Sequence, residues 1–313
     1  MGLERYPAYL YDFACHEEER PLCEMELRTL FDSAPCEKFI VSNRRMDPSR
    51  SPFVHGRLAV EAAEDSLKGM AEAASRLELD GQTFKLRYIA ADGTADYTER
   101  RRVERIIGAH FRGRADMKTP QRLYGIAYVK GIWLLGAYKE SEAVWLYHNE
   151  KPRQYSTALG TRMARAVVNI AVPQPEGVTA VDPCCGIGTV LIEAKSMGIQ
   201  MDGFDLNPLA AIGARENLTH FGLPGTVGVA DMRTLQGKYD ALVLDLPYNL
   251  CSVLTTDERF EMLLGARRLA DRCLIVATED IETELEAADF FVSDRCVVRK
   301  GRFARYIFLV VSK

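Results

Sequence analysis

The chain has 313 residues, enough for about two domains, and is 47% hydrophobic and 27% charged. That composition excludes a disordered, collagenous or disulfide-built protein. A formal charge of −4, from 40 Lys and Arg against 44 Asp and Glu, excludes a globally basic nucleic-acid binder and leaves room for a local basic patch.

Cysteines stand at 15, 23, 36, 184, 185, 251, 273 and 296 without any C-x-x-C spacing, and are expected to be small buried hydrophobes in a reducing compartment. Glu4, Arg5 and Asp12 interrupt the N-terminus, so no signal peptide is read there. Met1-Gly2 opens a myristoylation-like pattern, but Tyr6 stands where Ser or Thr is required. The apolar run at 132–138 is far short of the roughly 20 residues of a spanning helix. A soluble, cytoplasmic protein is expected.

In chain order, 83–87 reads as a strand, 101–108 as a basic helix, and 122–130 and 132–138 as two more strands. Between Glu99 and Lys130 there are nine Lys or Arg against three acids, and Arg44, Arg45, Arg50 and Arg57 form a smaller cluster opposed only by Asp47. A solvated helix face is the ordinary meaning of such a run. Arg101, Arg102, Arg105, Arg112, Arg114 and Lys118 are nevertheless the candidates for phosphate contact. Residues 148–156, polar and containing Pro152, read as a linker. Leu159, Met163, Ala166, Val167 and Ile170 then recur at helical spacing, and Pro173 closes that helix.

Five short apolar runs follow, at 178–184, 200–206, 226–231, 239–247 and 272–278, separated by helix-length stretches. Their continuous apolar cores predict parallel strands buried on both faces. Val190, Leu191, Ala194 and Met197 share one helical face, and Pro208 stands at a first helical position. The last two runs, 290–300 and 306–312, flank a short turn and predict an antiparallel hairpin, for seven strands in all.

The first of these strands leads into Asp182-Pro-Cys-Cys-Gly-Ile-Gly-Thr189. Gly186 and Gly188 permit a sharp turn and close approach to a ligand in the crevice at the strand ends. Leu191 occupies the place where a dinucleotide fingerprint needs a small residue, and no Lys-Ser/Thr pair follows the glycines, so NAD and phosphate-loop readings fail. Asp205 is placed to accept from a ribose diol and Asp231 from an exocyclic amine. Any one of these acids alone is ordinarily a turn or cap residue. Three at successive strand ends suit an unphosphorylated adenosine carrying a sulfonium. Asp182, Cys184, Gly186, Gly188, Asp205 and Asp231 are therefore the candidate cofactor residues, with packing as the alternative role of Cys184, Cys185 and Cys251. The histidines show no metal spacing, and no metal is expected.

The fourth strand ends in Asp245-Leu-Pro-Tyr248, which resembles the D/N-P-P-Y box of methyltransferases that alkylate exocyclic amines. With the upstream motif, 157–313 resembles a class I S-adenosylmethionine-dependent methyltransferase: α/β, with a seven-stranded mostly parallel sheet and a terminal antiparallel hairpin. The resemblance implies catalytic roles for Asp245, Leu246, Pro247 and Tyr248. Acceptors at Asp245 and at a backbone carbonyl near Leu246 or Pro247 would draw on the amine hydrogens, Pro247 would hold the turn, and Tyr248 would stack an extruded base. Leu246 replaces the usual proline and leaves its carbonyl available.

The pattern at 66–140 is similar to a THUMP domain, an α+β RNA-binding module. Residues 1–65 would be an accompanying ferredoxin-like lobe and 141–156 the linker. This order resembles the THUMP-domain tRNA guanine-N2 methyltransferases and implies tRNA as substrate. An adenine-N6 methyltransferase acting on DNA or RNA, and a catalytically inactive RNA-binding relative, are the alternatives. The basic stretch favours RNA, and the intact Asp182, Gly186, Gly188, Asp205 and Asp245 argue against lost activity.

Overall fold

A computed structural model describes residues 6–91, 93, 95–155, 158–223, 225–248, 254–301 and 303–313. Met1-Gly2 and Cys251, singled out above, lie outside the described residues. Two compact units form: residues up to 14 with 31–142, and residues 15–30 with 143–313.

In the first unit, strand β1 (Tyr9–Phe13) is followed by β2 (Phe39–Ser42) and β3 (Val54–Glu64). Helix α1 (Arg20–Phe31), which lies between β1 and β2 in sequence, belongs up to residue 30 to the second unit. Next come α2 (Leu67–Ala74), β4 (Phe84–Ile89), α3 (Tyr97–Gly108), β5 (Arg122–Val129) and β6 (Ile132–Glu140). Strands from 1–65 and from 66–140 share one sheet in the order β2-β1-β3-β6-β5-β4. β4 and β5 run parallel, and the other neighbours are antiparallel.

The periodicity of 54–64 did not announce β3, whose second half, Val60-Glu-Ala-Ala-Glu64, is rich in helix formers. Pairing to β1 on one side and β6 on the other overrides that local preference. The core beneath α2 and α3 gathers Met70, Phe84, Val103, Ile107 and Phe111. Phe84 and Phe111 stack with centroids 4.5 Å apart.

The second unit adds α4 (Val144–Tyr147), α5 (Thr161–Ala171), β7 (Thr179–Asp182), α6 (Thr189–Ser196), β8 (Gln200–Asp205), α7 (Pro208–His220), β9 (Val227–Val229), β10 (Ala241–Asp245), α8 (Thr256–Leu269), β11 (Arg272–Ala277), α9 (Glu282–Ala287), β12 (Phe290–Lys300) and β13 (Phe303–Ser312). Seven strands pair in the order β12-β13-β11-β10-β7-β8-β9. β9, β8, β7, β10 and β11 run parallel, and β13 is antiparallel to both β11 and β12. This is the class I methyltransferase arrangement, five parallel strands closed by a terminal hairpin.

Ala241–Leu244 of β10 and Cys273–Ala277 of β11 are buried on both faces, each large side chain contributing about 1.5–3 kcal/mol by leaving water. Helix starts are set locally. Asn207 caps α7, which begins at Pro208, and Thr255 with Glu258 forms a reciprocal capping box on α8. The start of the polar 148–156 run is folded into this unit. His148 is buried against Glu193, with Nδ1 2.7 Å from Oε1, and Arg165 donates to the other oxygen at 2.8 Å. Among the described residues, no helix is long and apolar enough to cross a membrane.

Candidate active site

The site grows from the parallel pairing. β8, β7 and β10 are adjacent and parallel, so their carboxyl ends open on one side of the sheet. Asp182, Asp205 and Asp245 are each the last residue of their strand. The sequence between β7 and α6 must then turn back sharply. Gly186 and Gly188 do this with φ of 53° and 80°, a region hostile to residues with a Cβ. Cys185 N–H donates to the Phe204 carbonyl at 2.8 Å and Gly186 N–H to Asp205 Oδ2 at 2.8 Å, which ties the loop to β8.

These strand ends surround a cavity of about 640 Å3, a volume ordinary for a small-molecule or cofactor site. Asp182, Cys184, Gly186, Asp205 and the whole Asp245-Leu-Pro-Tyr248 segment line it. Exposed Tyr155, Leu206 and Leu209 add apolar wall. Gly188 does not line the cavity. It precedes the first residue of α6, and a Cβ there would sit 3.1 Å from that of Ala214, so its role is to allow the turn and helix packing.

Asp231 does not line the cavity either. β9 stops at Val229, two residues short of the predicted end, and Asp231 heads a turn. Both its oxygens accept from the Arg233 guanidinium, at 2.7–3.1 Å, and the Arg233 N–H also donates to it. Those bonds to Arg233 hold the Asp231 carboxyl below its ordinary range. This is the turn-residue behaviour weighed against function for any single acid.

Electrostatics in the cavity are unusual. Asp182 is 3% exposed, and its Oδ1 accepts only a long 3.2 Å bond from Cys184 N–H. Burial first, then the like charges of Asp245 and Asp205, push its carboxyl well above the usual range. Burial raises Asp245 to about 7, opposed by the positive charge of Arg305. Asp245 keeps some exposure as a residue, yet its Oδ1 is fully buried with no hydrogen-bond partner among the described residues. Asp205 is anchored by Gly186 N–H and Asn207 N–H, one on each oxygen at 2.8 Å, and each oxygen retains a lone pair. Leu246 is fixed by its N–H to the Val276 carbonyl at 2.9 Å and by its buried side chain.

Three residues in or beside the cavity carry no such signal in the sequence. Thr189 lines the cavity with a buried, unpartnered Oγ1; the Gly-Ile-Gly-Thr motif contained it, but no role was assigned. Tyr155 belongs to a stretch read as linker. Arg305 stands in the expected hairpin turn and touches Tyr248.

The residues fit S-adenosylmethionine. The negative charges that disfavour the ionisation of Asp182 would be relieved by a cationic sulfonium, Asp205 has acceptor capacity for ribose hydroxyls, and a Cβ at Gly186 would meet no protein atom within 4 Å.

The candidate phosphate-contact residues lie in the first unit. Arg101, Arg102 and Arg105 are exposed on α3, and Arg112, Arg114 and Lys118 are exposed in the segment that follows. Arg101 pairs with Glu104 at 2.8 Å and Arg102 with Glu99 at 2.7 Å.

Residues 148–265 match the family model described as UPF0020: RMKL-like, methyltransferase domain. A tRNA (guanine(10)-N2)-dimethyltransferase of Methanothermobacter thermautotrophicus is 29% identical over 213 residues, 64% of this chain and 62% of the relative. The enzyme of the same name from Pyrococcus abyssi is 29% identical over 171 residues, 51% of each chain. The chain thus spans less than two thirds of the length of these curated relatives. Among solved structures, TrmN from Thermus thermophilus is similar with a TM-score of 0.50 at 19% identity, over 97% of this chain and 99% of that one. That likeness is one of fold.

Proposed function

We propose that this chain, which carries a methyltransferase domain, is an S-adenosylmethionine-dependent enzyme that methylates the exocyclic N2 amine of a guanosine in tRNA, in the cytoplasm. The observation that carries the reading is the buried, unpartnered Oδ1 of Asp245, held at a strand end in the same cavity as Tyr248. The names of the relatives support the choice of tRNA and of the guanine amine.

Asp205 and Asp182, with the Gly186 backbone and Thr189 Oγ1, would hold the cofactor. When bound, S-adenosylmethionine supplies an electrophilic methyl group, which passes to the amine nitrogen as the carbon–sulfur bond breaks to leave a neutral thioether. A base amine is a poor nucleophile because its lone pair is delocalised into the ring. Asp245 Oδ1 accepts one amine hydrogen and the main-chain carbonyl near Leu246 or Pro247 the other, which favours the pyramidal, nucleophilic nitrogen. Asp245 then takes the proton that the methylated nitrogen releases, a role suited to a carboxyl near pH 7. The Tyr248 ring stacks on the extruded base, and fixed orientation supplies much of the rate.

In the same reading, 66–140 is a THUMP-like RNA-binding region that shares its sheet with the strands of the ferredoxin-like lobe assigned to 1–65, and of the linker assigned to 141–156, α4 and His148 are built into the second unit. Arg101, Arg102, Arg105, Arg112, Arg114 and Lys118 contact tRNA phosphates. Nucleoside mass spectrometry of unmodified tRNA incubated with the protein and S-adenosylmethionine tests the assignment. N2-methylated guanosine is expected. N6-methyladenosine would move the reaction to the alternative amine, and no methylated nucleoside would leave an RNA-binding relative without activity.

A further inference from the structure

Arg305 and Phe303 stand two residues apart on β13 and therefore share a face of the strand. The Arg305 guanidinium lies 4.9 Å from the Phe303 ring centroid and 5.6 Å from that of Tyr248. It also donates a hydrogen bond to the Tyr248 hydroxyl. The two rings are 5.7 Å apart and tilted by 45°. Tyr248 lines the cavity whereas Arg305 and Phe303 do not, so this pair contacts the ring without forming part of the cavity wall.

Arg305 has unspent capacity. Its Nε is buried and has no hydrogen-bond partner among the described residues. The guanidinium makes no direct ion pair with Asp245 and acts on it across a gap. Asp245 is otherwise faced by the acid Asp182 at the end of β7 and by Tyr248 in its own loop, while Asp205 at the end of β8 acts on Asp182. Among the described residues, Arg305 on β13 is the cation acting on Asp245, whose carboxyl it pulls down against the effect of burial.

We propose that Arg305 is a positioning residue for methyl transfer: it holds the Tyr248 ring for stacking of the target base and supplies the positive potential that keeps Asp245 an acceptor. This rests on the amine-methylation reading above. A guanidinium suits both tasks, because its planar fork can bond the hydroxyl while its face lies against an aromatic ring. A lysine would retain the charge and lose the fork.

The experiment compares wild type, Arg305→Met and Arg305→Lys as full chains in single-turnover transfer to unmodified tRNA across pH, alongside calorimetry with S-adenosylmethionine and thermal unfolding. Arg305→Met is expected to lower kcat about tenfold, the scale of a desolvated cation–π contact. It should also move the acidic limb of the pH profile towards higher pH. KM for tRNA should change less than kcat, and cofactor affinity should be unchanged. Arg305→Lys should restore the position of the acidic limb but only part of the rate. A wild-type rate and limb in Arg305→Met would overturn the proposal. So would a rate loss matched by lost cofactor affinity and a lowered unfolding midpoint, which is the signature of a merely structural arginine. If wild type itself methylates no guanosine amine, the underlying reading fails before the variants are compared.

Discussion

The strand ends of the second unit and the basic stretch of the first carry charge in opposite ways. Asp182, Asp205 and Asp245 are separated by 23 and 40 positions in the sequence, yet parallel pairing of β7, β8 and β10 gathers them around one cavity. Their charges are concentrated, and among the described residues Arg305 is the cation that reaches Asp245. In α3 the charges are neighbours in sequence and stay on one exposed surface, where Arg101 and Arg102 are already paired with Glu104 and Glu99. Exposed pairs of this kind contribute about 0–1 kcal/mol and exchange readily for a phosphate. Convergence among buried strand ends makes a charge chemically committed; periodic placement on an exposed helix leaves it available. Changes at the strand ends should therefore have large, specific effects, and changes in the basic stretch graded and salt-dependent ones.

The largest effect is expected at Asp245. Asp245→Asn keeps the shape but replaces a carboxylate acceptor by an amide that also donates. Single-turnover transfer from labelled cofactor should fall by about 10²–10³, the scale of losing one preorganised electrostatic contact, with cofactor affinity intact. Wild-type rates in this variant would remove the amine-activation role.

Next comes a contrast within the acids themselves. Asp205→Ala should weaken S-adenosylmethionine binding by about 1.5–3 kcal/mol, the value of hydrogen bonds to a charged group. Asp231→Ala, away from the cavity, should leave the calorimetric dissociation constant nearly unchanged. Equal losses would show that the cavity lining does not define the cofactor site.

The pH dependence follows in size. Asp245 must be ionised to accept from the amine, and burial raises it to about 7. The rate should therefore rise with pH through about 7 and fall by about tenfold for each unit below it. A cation held beside it favours the ionised form, so the limb of kcat should lie at lower pH than that of kcat/KM. A profile flat from pH 5 to 8 would contradict a protonation-sensitive Asp245. For stability the sign is reversed. A carboxyl raised on folding favours the folded state below its unfolded value, and that contribution is lost as pH rises through the folded one.

The smallest change per residue is expected in the basic stretch. Combining Arg105→Glu, Arg112→Glu and Lys118→Glu should weaken tRNA binding and flatten its dependence on salt, each lost phosphate contact reducing the log–log slope by about 1. Cofactor affinity should not move. Unaltered tRNA binding and slope would reduce the stretch to a solvated face.

Much of the methyltransferase sheet was legible in sequence because its signals are local. Strands buried on both faces must be continuously apolar, as at 241–244 and 273–277, and strand-to-helix turns need particular residues, as at Gly186, Gly188 and Pro208. The Asp245-Leu-Pro-Tyr248 segment of the cavity was legible for the same reason, since its four residues are consecutive. Strand β3 was not, because its helix-forming second half becomes a strand only through its partners β1 and β6. Residues 15–30 gave no sign that they belong with 143–313, as shown by Asn169 of α5 donating to Glu26 of α1 at 2.6 Å in a buried contact.

The sequence by itself determined which segments alternate as strand and helix, where the sheet must turn, and which residue types stand at the strand ends, because hydrophobic period and turn chemistry act within a few residues. Tertiary structure decided which of those acids line one cavity. Asp182, Asp205 and Asp245 meet because their strands are adjacent and parallel, while the short β9 leaves Asp231 to its neighbour Arg233. It also decided that Arg305, 60 residues beyond Asp245 in the chain, acts on it as a cation. Burial and electrostatic potential depend on what packs across the sheet, and no local pattern encodes that.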